Sequence, residues 1–521
     1  MGRARTPVAS LTLALAAGLT ACGGGADPLP MTGMPGAPNA MTEPAPLATP
    51  HACGVRVREL AVFQGVKVPL VLEGNPVPAG IVPLIEGRSA VFRAYVSATA
   101  PTVMGNARAR LRIESSLGRW DSPSEGFVNL DSTEDQIDSS FNFVVPGEIM
   151  RGDVRVALDF ELGNECATAG RTSHPATGTI ALALQPSPPL KLTLVPVVYE
   201  ADGSSRLPDT SPEQLERYRA IIMAMYPVSA VDITVRAPFA SRVALTSGGG
   251  WGALLDSVRA LRASDNVGRD VHYYALVSPA ASFANYCSRS CIAGLSYLAG
   301  STVTSQTHVG AGVGFAGAVA GETLIHELGH QHGRAHAPCG ADDLDTKYPH
   351  VNARLGAWGL DQRGGILRMI NPATRYDMMS YCNPIWISDY NYGALAARRQ
   401  AINATVSARV VDSNANSNPL LANFRGFRTL LVGEGAPVWG NPIPAGELPN
   451  GRPETANALD ARGQVVGQIT VYRNDYGHGV GASYDVPAPE KGWSSVQIAG
   501  QPPLSFAAPA AAWERGLRVS E

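Results

Sequence analysis

The sequence predicts a multidomain α+β protein in which a catalytic domain built on a mixed sheet is flanked on both sides by β-sandwich-like domains. Three observations lead there. A chain of 521 residues exceeds what one hydrophobic core organises, since a domain typically holds roughly 150 residues. Fifty-five glycines and forty prolines supply many turns, as short-stranded β domains require. Between Leu192 and about Asn403, strand-like and helix-like runs alternate, whereas the flanking segments show only short alternating runs.

In chain order, Arg3 and Arg5 precede an apolar run from Val8 to Leu19. The run is too short for a membrane span and has the layout of a secretory signal over residues 1–21. It ends in Leu19-Thr20-Ala21-Cys22, which resembles the bacterial lipobox. That resemblance implies lipidation of Cys22, a membrane partner through an N-terminal lipid anchor, and residence in the bacterial cell envelope. Gly23 in place of Asp implies the outer membrane. An ordinary signal peptide cut nearby is the alternative. Residues 22–52 are rich in Pro, Gly, Ala, Met and Thr, too poor in core formers to fold, and read as a disordered tether.

Residues 53–187 carry runs such as Val55-Arg56-Val57-Arg58 and Val91-Phe92-Arg93-Ala94-Tyr95-Val96 between Gly- and Pro-containing turns. This alternation predicts an antiparallel sandwich. At Leu192 the pattern changes, opening a domain over 188–403. Leu192–Val198 reads as a strand, and Pro212–Tyr226 as a helix with Ser211 as N-cap and Pro212 at its first position. Val231–Val235 and Val271–Val277 read as strands around a helix at Trp251–Arg262, with Gly294–Leu298 and His308–Val313 as further strands. Residues 404–521 return to short β-like runs without a motif that carries chemistry.

A hydrophobic content of 45%, a charged content of 16% and a net charge of −3 are ordinary for a globular chain and offer no electrostatic case for nucleic acid. Setting Cys22 aside, the cysteines are Cys53, Cys166, Cys287, Cys291, Cys339 and Cys382. An even number in an exported chain reads as disulfides. Cys53 and Cys166 bracket the first β domain, and Cys287 and Cys291 suit a small loop. The last four allow three pairings.

The chemistry concentrates in His326-Glu327-Leu328-Gly329-His330-Gln331-His332-Gly333-Arg334-Ala335-His336. Positions four apart share a helix face, so His326 and His330 can serve one ion. Glu327, adjacent but rotated, faces a water rather than the metal. Gly333 can take a left-handed conformation that ends the helix and turns the chain so that His336 supplies a third nitrogen. Three neutral imidazoles with one open position describe a catalytic Zn2+ site. His332 lies off that face and is expected to face solvent or to support a ligand. Asp342, Asp343 and Asp345 form an acidic cluster; a solvated loop is favoured over a Ca2+ site because no EF-hand-like spacing is present.

The pattern His326-Glu327-x-x-His330-x-x-Gly333-x-x-His336 is similar to the long zinc signature of the metzincin clan of endopeptidases. Asp377-Met378-Met379-Ser380-Tyr381 resembles that clan's methionine turn. The resemblance implies Met379 beneath the metal and Tyr381 as a stabiliser of the reaction intermediate. It also implies that a Cys339–Cys382 bridge would clamp the ligand loop to the turn, leaving Cys287 with Cys291. Ala337 departs from the residues usual after the third histidine, and the Gly-Gly-x-Gly-x-Asp repeats of serralysins are absent, so the subfamily stays open. The expected function is a zinc-dependent endopeptidase acting on extracellular proteins or glycoproteins, with Glu327 as general base. A zinc amidase or deacylase, or a surface adhesin with a vestigial zinc domain, are the alternatives.

Overall fold

Buried and more exposed side chains alternate along Phe141–Val145, the period of a strand that presents one face to a core, whereas Leu60–Phe63 of Val55–Phe63 is buried on both faces. The computed structural model describes residues 55–98, 105–128, 131–162, 172–175, 177–301, 305–411, 426–433, 436–443, 449, 451–478 and 481–506. The signal, the tether, Cys22, Cys53 and Cys166 lie outside the described residues. The chain divides into two compact units: residues 1–186 with 357–371, and residues 187–356 with 372–521.

In the first unit, one sheet has the order Asn75–Pro76, Lys67–Leu72, Val55–Phe63, Ala90–Ala98, Phe141–Val145. The other runs Thr172–His174, Arg155–Leu162, Gly105–Ser115, Gly118–Val128, with Ile180–Ala181 pairing Arg155–Leu162. Leu60, Phe92 and Phe143 of the first sheet share a core with Leu111, Val156 and Phe160 of the second. Phe141 meets Phe160 edge-on at 5.0 Å between ring centroids, so the two sheets face one another as a sandwich. The opposite face of the first sheet, with Ala61, Phe63, Val91 and Tyr95, is covered by Leu360, Trp358, Leu367 and Met369. These come from the hairpin Gly359–Asp361 and Arg368–Ile370. Residues 357–371 therefore belong to this unit, although the sequence reading assigned them to the catalytic domain. Their apolar side chains find their burial here.

In the second unit the sheet order is Val231–Val235, Leu190–Tyr199, Val271–Val277, Val309–Val313, Gly294–Ser296. The first four strands are parallel and Gly294–Ser296 is an antiparallel edge. Leu192, Leu194, Val195 and Val197 are all buried, as a central strand covered on both faces demands. The helix Pro212–Met225 starts where Ser211 Oγ accepts the Gln214 amide, with Pro212 at its first position. The helix Ala318–Gln331 follows the strand Val309–Val313 and is buried along most of its length.

Among the described residues the C-terminal segment forms one seven-stranded antiparallel sheet, ordered Val438–Ile443, Phe427–Val432, Ala482–Pro487, Val465–Asp475, Arg452–Leu459, Ser495–Gln497, Leu504–Ser505. The two ends of this strand order meet, Trp439 Nε1–H donating to the Ser505 carbonyl at 2.8 Å, so the sheet folds over one core with Leu430, Val471 and Phe506. The sheet belongs to the same compact unit as the catalytic fold. Buried Arg259 makes a two-point ion pair with Asp485 at 2.8 and 2.9 Å, and Asp256 accepts the backbone and side-chain N–H groups of Asn441. Among the described residues no helix is long and apolar enough to cross a membrane.

Candidate metal centre and active site

Helical periodicity puts His326 and His330 on one face of Ala318–Gln331, with Nε2 atoms 3.1 Å apart. Each imidazole is oriented from behind. His326 Nδ1 donates to the Met378 carbonyl at 2.8 Å, His330 Nδ1 to the Arg334 carbonyl at 2.6 Å, and His336 Nδ1 to the Asp342 carbonyl at 2.7 Å. A carbonyl oxygen only accepts, so the ring proton sits on Nδ1 and each Nε2 carries a lone pair. Burial drives all three pKa values down, His326 to about 3, His336 to about 4 and His330 well below the ordinary histidine value. They are neutral at pH 7 and ready to ligate. Two lone pairs facing each other at 3.1 Å, with His336 Nε2 buried and unpartnered, form a donor set that could hold a metal ion, zinc among them.

Gly333 makes the turn that brings His336 in. Its φ is +80°, a left-handed conformation that glycine adopts without strain. Its amide donates to the His330 carbonyl at 2.8 Å, and the Arg334 amide donates to that of Gly329 at 2.9 Å, so the last helical carbonyls are satisfied. The ligand loop then pairs with the methionine turn. Ala337 N–H donates to the Met379 carbonyl and Tyr381 N–H to the Cys339 carbonyl, each at 3.0 Å, and Cys339 is bonded to Cys382. Cys287 is bonded to Cys291. Met379 is fully buried beneath the helix; a Cβ on Gly329 would lie 2.2 Å from its sulfur. Asp377 anchors the turn by accepting from Met379 N–H, Ser388 N–H and the Asn391 amide.

Glu327 is 1% exposed, and its Oε2 is buried without a hydrogen-bond partner. The Tyr381 ring lies 5.0 Å from that of His336 and 5.8 Å from that of His326. Burial, then the Glu327 charge, pushes its phenol pKa above the ordinary value, so its hydroxyl keeps its proton and can donate.

One expectation is revised. His332 is neither exposed nor in touch with a ligand ring: it is 2% exposed and stacked on His272 at 4.6 Å, with Nδ1 donating to the Leu328 carbonyl. A helix buried on both faces leaves no solvent side. In the acidic cluster, Asp345 accepts from Arg334 and from the Tyr390 hydroxyl, while Asp342 contributes its backbone carbonyl to His336. Asp345 thus serves Arg334 and Tyr390, and the Asp342 backbone serves the histidine loop, while Asp342 and Asp343 are exposed as a solvated loop would have them.

The residue that sequence reasoning missed is His478, on the chain that leaves the strand Val465–Asp475 of the C-terminal sheet. It completes a group of four histidines with His326, His330 and His336 whose ligand-type atoms lie within 4.8 Å of one another. Tyr476-Gly477-His478 has no helical spacing to a second ligand and no motif, so nothing local in the sequence marks it.

A helix with two facing histidines, a third after a glycine turn, a buried glutamate and a methionine turn beneath is an arrangement that could hold a metal ion beside a carboxylate. Within the chain, residues 292–391 match the family model described as Peptidase M66, a zinc metallopeptidase family. The match runs from the edge strand through the histidine helix to the methionine turn, and it supports a peptidase function. His478 lies outside it. No curated protein matches the chain.

Proposed function

We propose that the protein is a zinc-dependent endopeptidase of the metzincin type, with His326, His330 and His336 as ligands, Glu327 as general base and Tyr381 as oxyanion donor. The convergence of three inward-facing Nε2 lone pairs beside the unpartnered Glu327 Oε2 carries this reading. When bound, zinc supplies Lewis acidity that polarises the scissile carbonyl and acidifies the attacking water. Glu327 then takes a proton from that water and returns it to the leaving amine. The Tyr381 hydroxyl donates to the carbonyl oxygen as negative charge develops on it. Met379 and the Cys339–Cys382 bridge keep the third ligand and Tyr381 in register. The substrates we propose are extracellular proteins or glycoproteins, met at a bacterial outer surface to which Cys22 would tether the enzyme.

The test is cleavage of a mixed protein substrate by the zinc-loaded protein, a chelated sample and Glu327→Ala. Cleavage should vanish on chelation and fall by about 10²–10⁴-fold in the variant, the span typical of a lost general base. Undiminished cleavage by Glu327→Ala would overturn the mechanism.

A further inference from the structure

The strand Val465–Asp475 does not stop at the C-terminal sheet. Its continuation runs antiparallel to the edge of the catalytic sheet. Leu298 N–H donates to the Asp475 carbonyl at 2.9 Å, Gly477 N–H donates to the Ser296 carbonyl at 2.8 Å, and Tyr476 bridges to Tyr297. Tyr476 is 7% exposed and packs in the same core as Trp251, Leu254 and Tyr297. Gly477 lies directly on a ligand ring, since a Cβ there would stand 2.3 Å from His330 Cδ2. Backbone pairing, a buried tyrosine and a glycine that admits no side chain together fix where the next residue goes.

That residue is His478, and both of its ring nitrogens are engaged by the two groups assigned to catalysis. Its Nε2 lies 2.9 Å from Glu327 Oε1, and its Nδ1 meets the Tyr381 hydroxyl. A carboxylate only accepts, so Nε2–H donates to Glu327 and Nδ1 accepts the tyrosine proton. Before substrate enters, the chain of donors is therefore Tyr381 O–H to His478 to Glu327, and the tyrosine's single proton must leave His478 Nδ1 to serve the carbonyl oxygen. The effect of the chain is to hold Oε1 and leave Oε2 as the free face of the base. His478 differs in this from the three ligands, whose Nδ1 atoms are held by backbone carbonyls and whose Nε2 atoms converge. Its ring centroid sits 5.3–5.6 Å from theirs.

We infer that His478 is a positioning residue of the reaction centre, holding Glu327 and Tyr381 in one hydrogen-bonded chain. The C-terminal sheet is thereby a part of the catalytic unit and not a separate module. The inference rests on the endopeptidase reading above. A glutamine tests it, because its amide can donate to Glu327 and its carbonyl can accept from Tyr381, while it neither carries a proton as imidazole does nor ligates zinc well.

The experiment compares full-length wild type, His478→Ala, His478→Gln and His336→Ala for kcat and KM on a peptide substrate. Zinc affinity is measured by chelator competition and folding by thermal melting. His478→Ala should lose on the order of 10²-fold in kcat, the scale of a misplaced catalytic group. Its KM and zinc affinity should stay near wild type, and His478→Gln should recover most of the loss. A zinc affinity that drops as far as in His336→Ala would make His478 a fourth ligand and overturn the inference. So would an unchanged or raised kcat in His478→Ala, the latter marking an obstructing contact, or a His478→Gln variant as slow as His478→Ala. Nitrogen NMR of histidine-labelled, zinc-loaded protein reads the same point without turnover: His478 should be the Nε2–H tautomer, and a metal-bound nitrogen there would refute the role. If wild type cleaves nothing, or Glu327→Ala cleaves as fast, the endopeptidase reading fails, while the zinc and NMR arms still decide what His478 does.

Discussion

Two groups of buried histidines lie on opposite sides of the helix Ala318–Gln331, and they have been put to different uses. On one side His326 and His330, joined by His336, have their Nδ1 atoms bonded outward and their Nε2 atoms turned towards one point. On the other side His332 stacks on His272, which stacks on His308, at centroid distances of 4.6 and 4.3 Å and interplanar angles of 11° and 24°. There Nδ1 is also bonded, to the Leu328 carbonyl, the Gln331 amide oxygen and the Arg269 carbonyl respectively. Ring inclination alone does not separate the groups, since His326 and His336 are themselves inclined by only 29°; the ligand-type nitrogens of His326, His330 and His336 lie within 4.8 Å of one another. Burial and tautomer are shared; the convergence of the free nitrogens separates a candidate metal centre from a packed core.

That contrast can be broken most directly by one substitution on each side. His330→Ala should abolish zinc binding and peptide cleavage. His332→Ala should leave zinc affinity and kcat near wild type and lower stability by about 1–3 kcal/mol, the ordinary cost of a core truncation. Chelator competition and denaturant unfolding on the two variants check it, and loss of zinc from His332→Ala would erase the distinction. Tyr381→Phe keeps the ring against His336 and removes only the hydroxyl. It should lower kcat by about 10²–10³-fold with little change in KM, as loss of one oxyanion donor does.

The smallest effect is the one both groups share. Burial holds His326 and His272 at about 3, His336 at about 4, and His308 and His332 well below the usual value. In the unfolded chain a histidine titrates near 6.5. Between that value and the folded ones the unfolded state binds protons that the native state refuses. Stability is therefore complete above about pH 6.5 and is lost as pH falls towards about 3–4. Zinc-free protein should melt at steadily lower temperature as pH is reduced through this window. Zinc should raise the melting temperature at pH 7 and progressively less below it, because protons compete for the ligands. Calorimetry with and without zinc, extended to His332→Phe, would divide the acid sensitivity between the two groups; an unaltered pH slope in that variant would remove the stacked group from the account.

Much of the candidate site was legible along the chain because it is local. His326, Glu327, His330, Gly333 and His336 span eleven residues, and one helix with one glycine turn suffices to arrange them. Met379 and Tyr381 were legible as a short motif, and the strand at Leu190–Tyr199 and the helix at Pro212–Met225 from period and capping. The burial of His332 was not, since spacing says which helix face a residue occupies but not what covers that face. Nor was the departure of residues 357–371 into the first unit, which depends on an apolar sheet face some three hundred residues earlier in the chain.

His478 marks the same boundary most sharply. By itself the sequence brought together the proposed ligands His326, His330 and His336, Glu327 beside them and the turn at Met379, because short-range backbone geometry places them. Only the tertiary structure decided that a histidine 151 positions beyond Glu327 would reach its carboxylate. That contact depends on a backbone pairing between Ser296–Leu298 and Asp475–Gly477, and on a buried arginine–aspartate pair that ties the helix Trp251–Ser264 to the C-terminal sheet. Such contacts come from packing between distant segments, and neither residue type nor spacing along the chain records them.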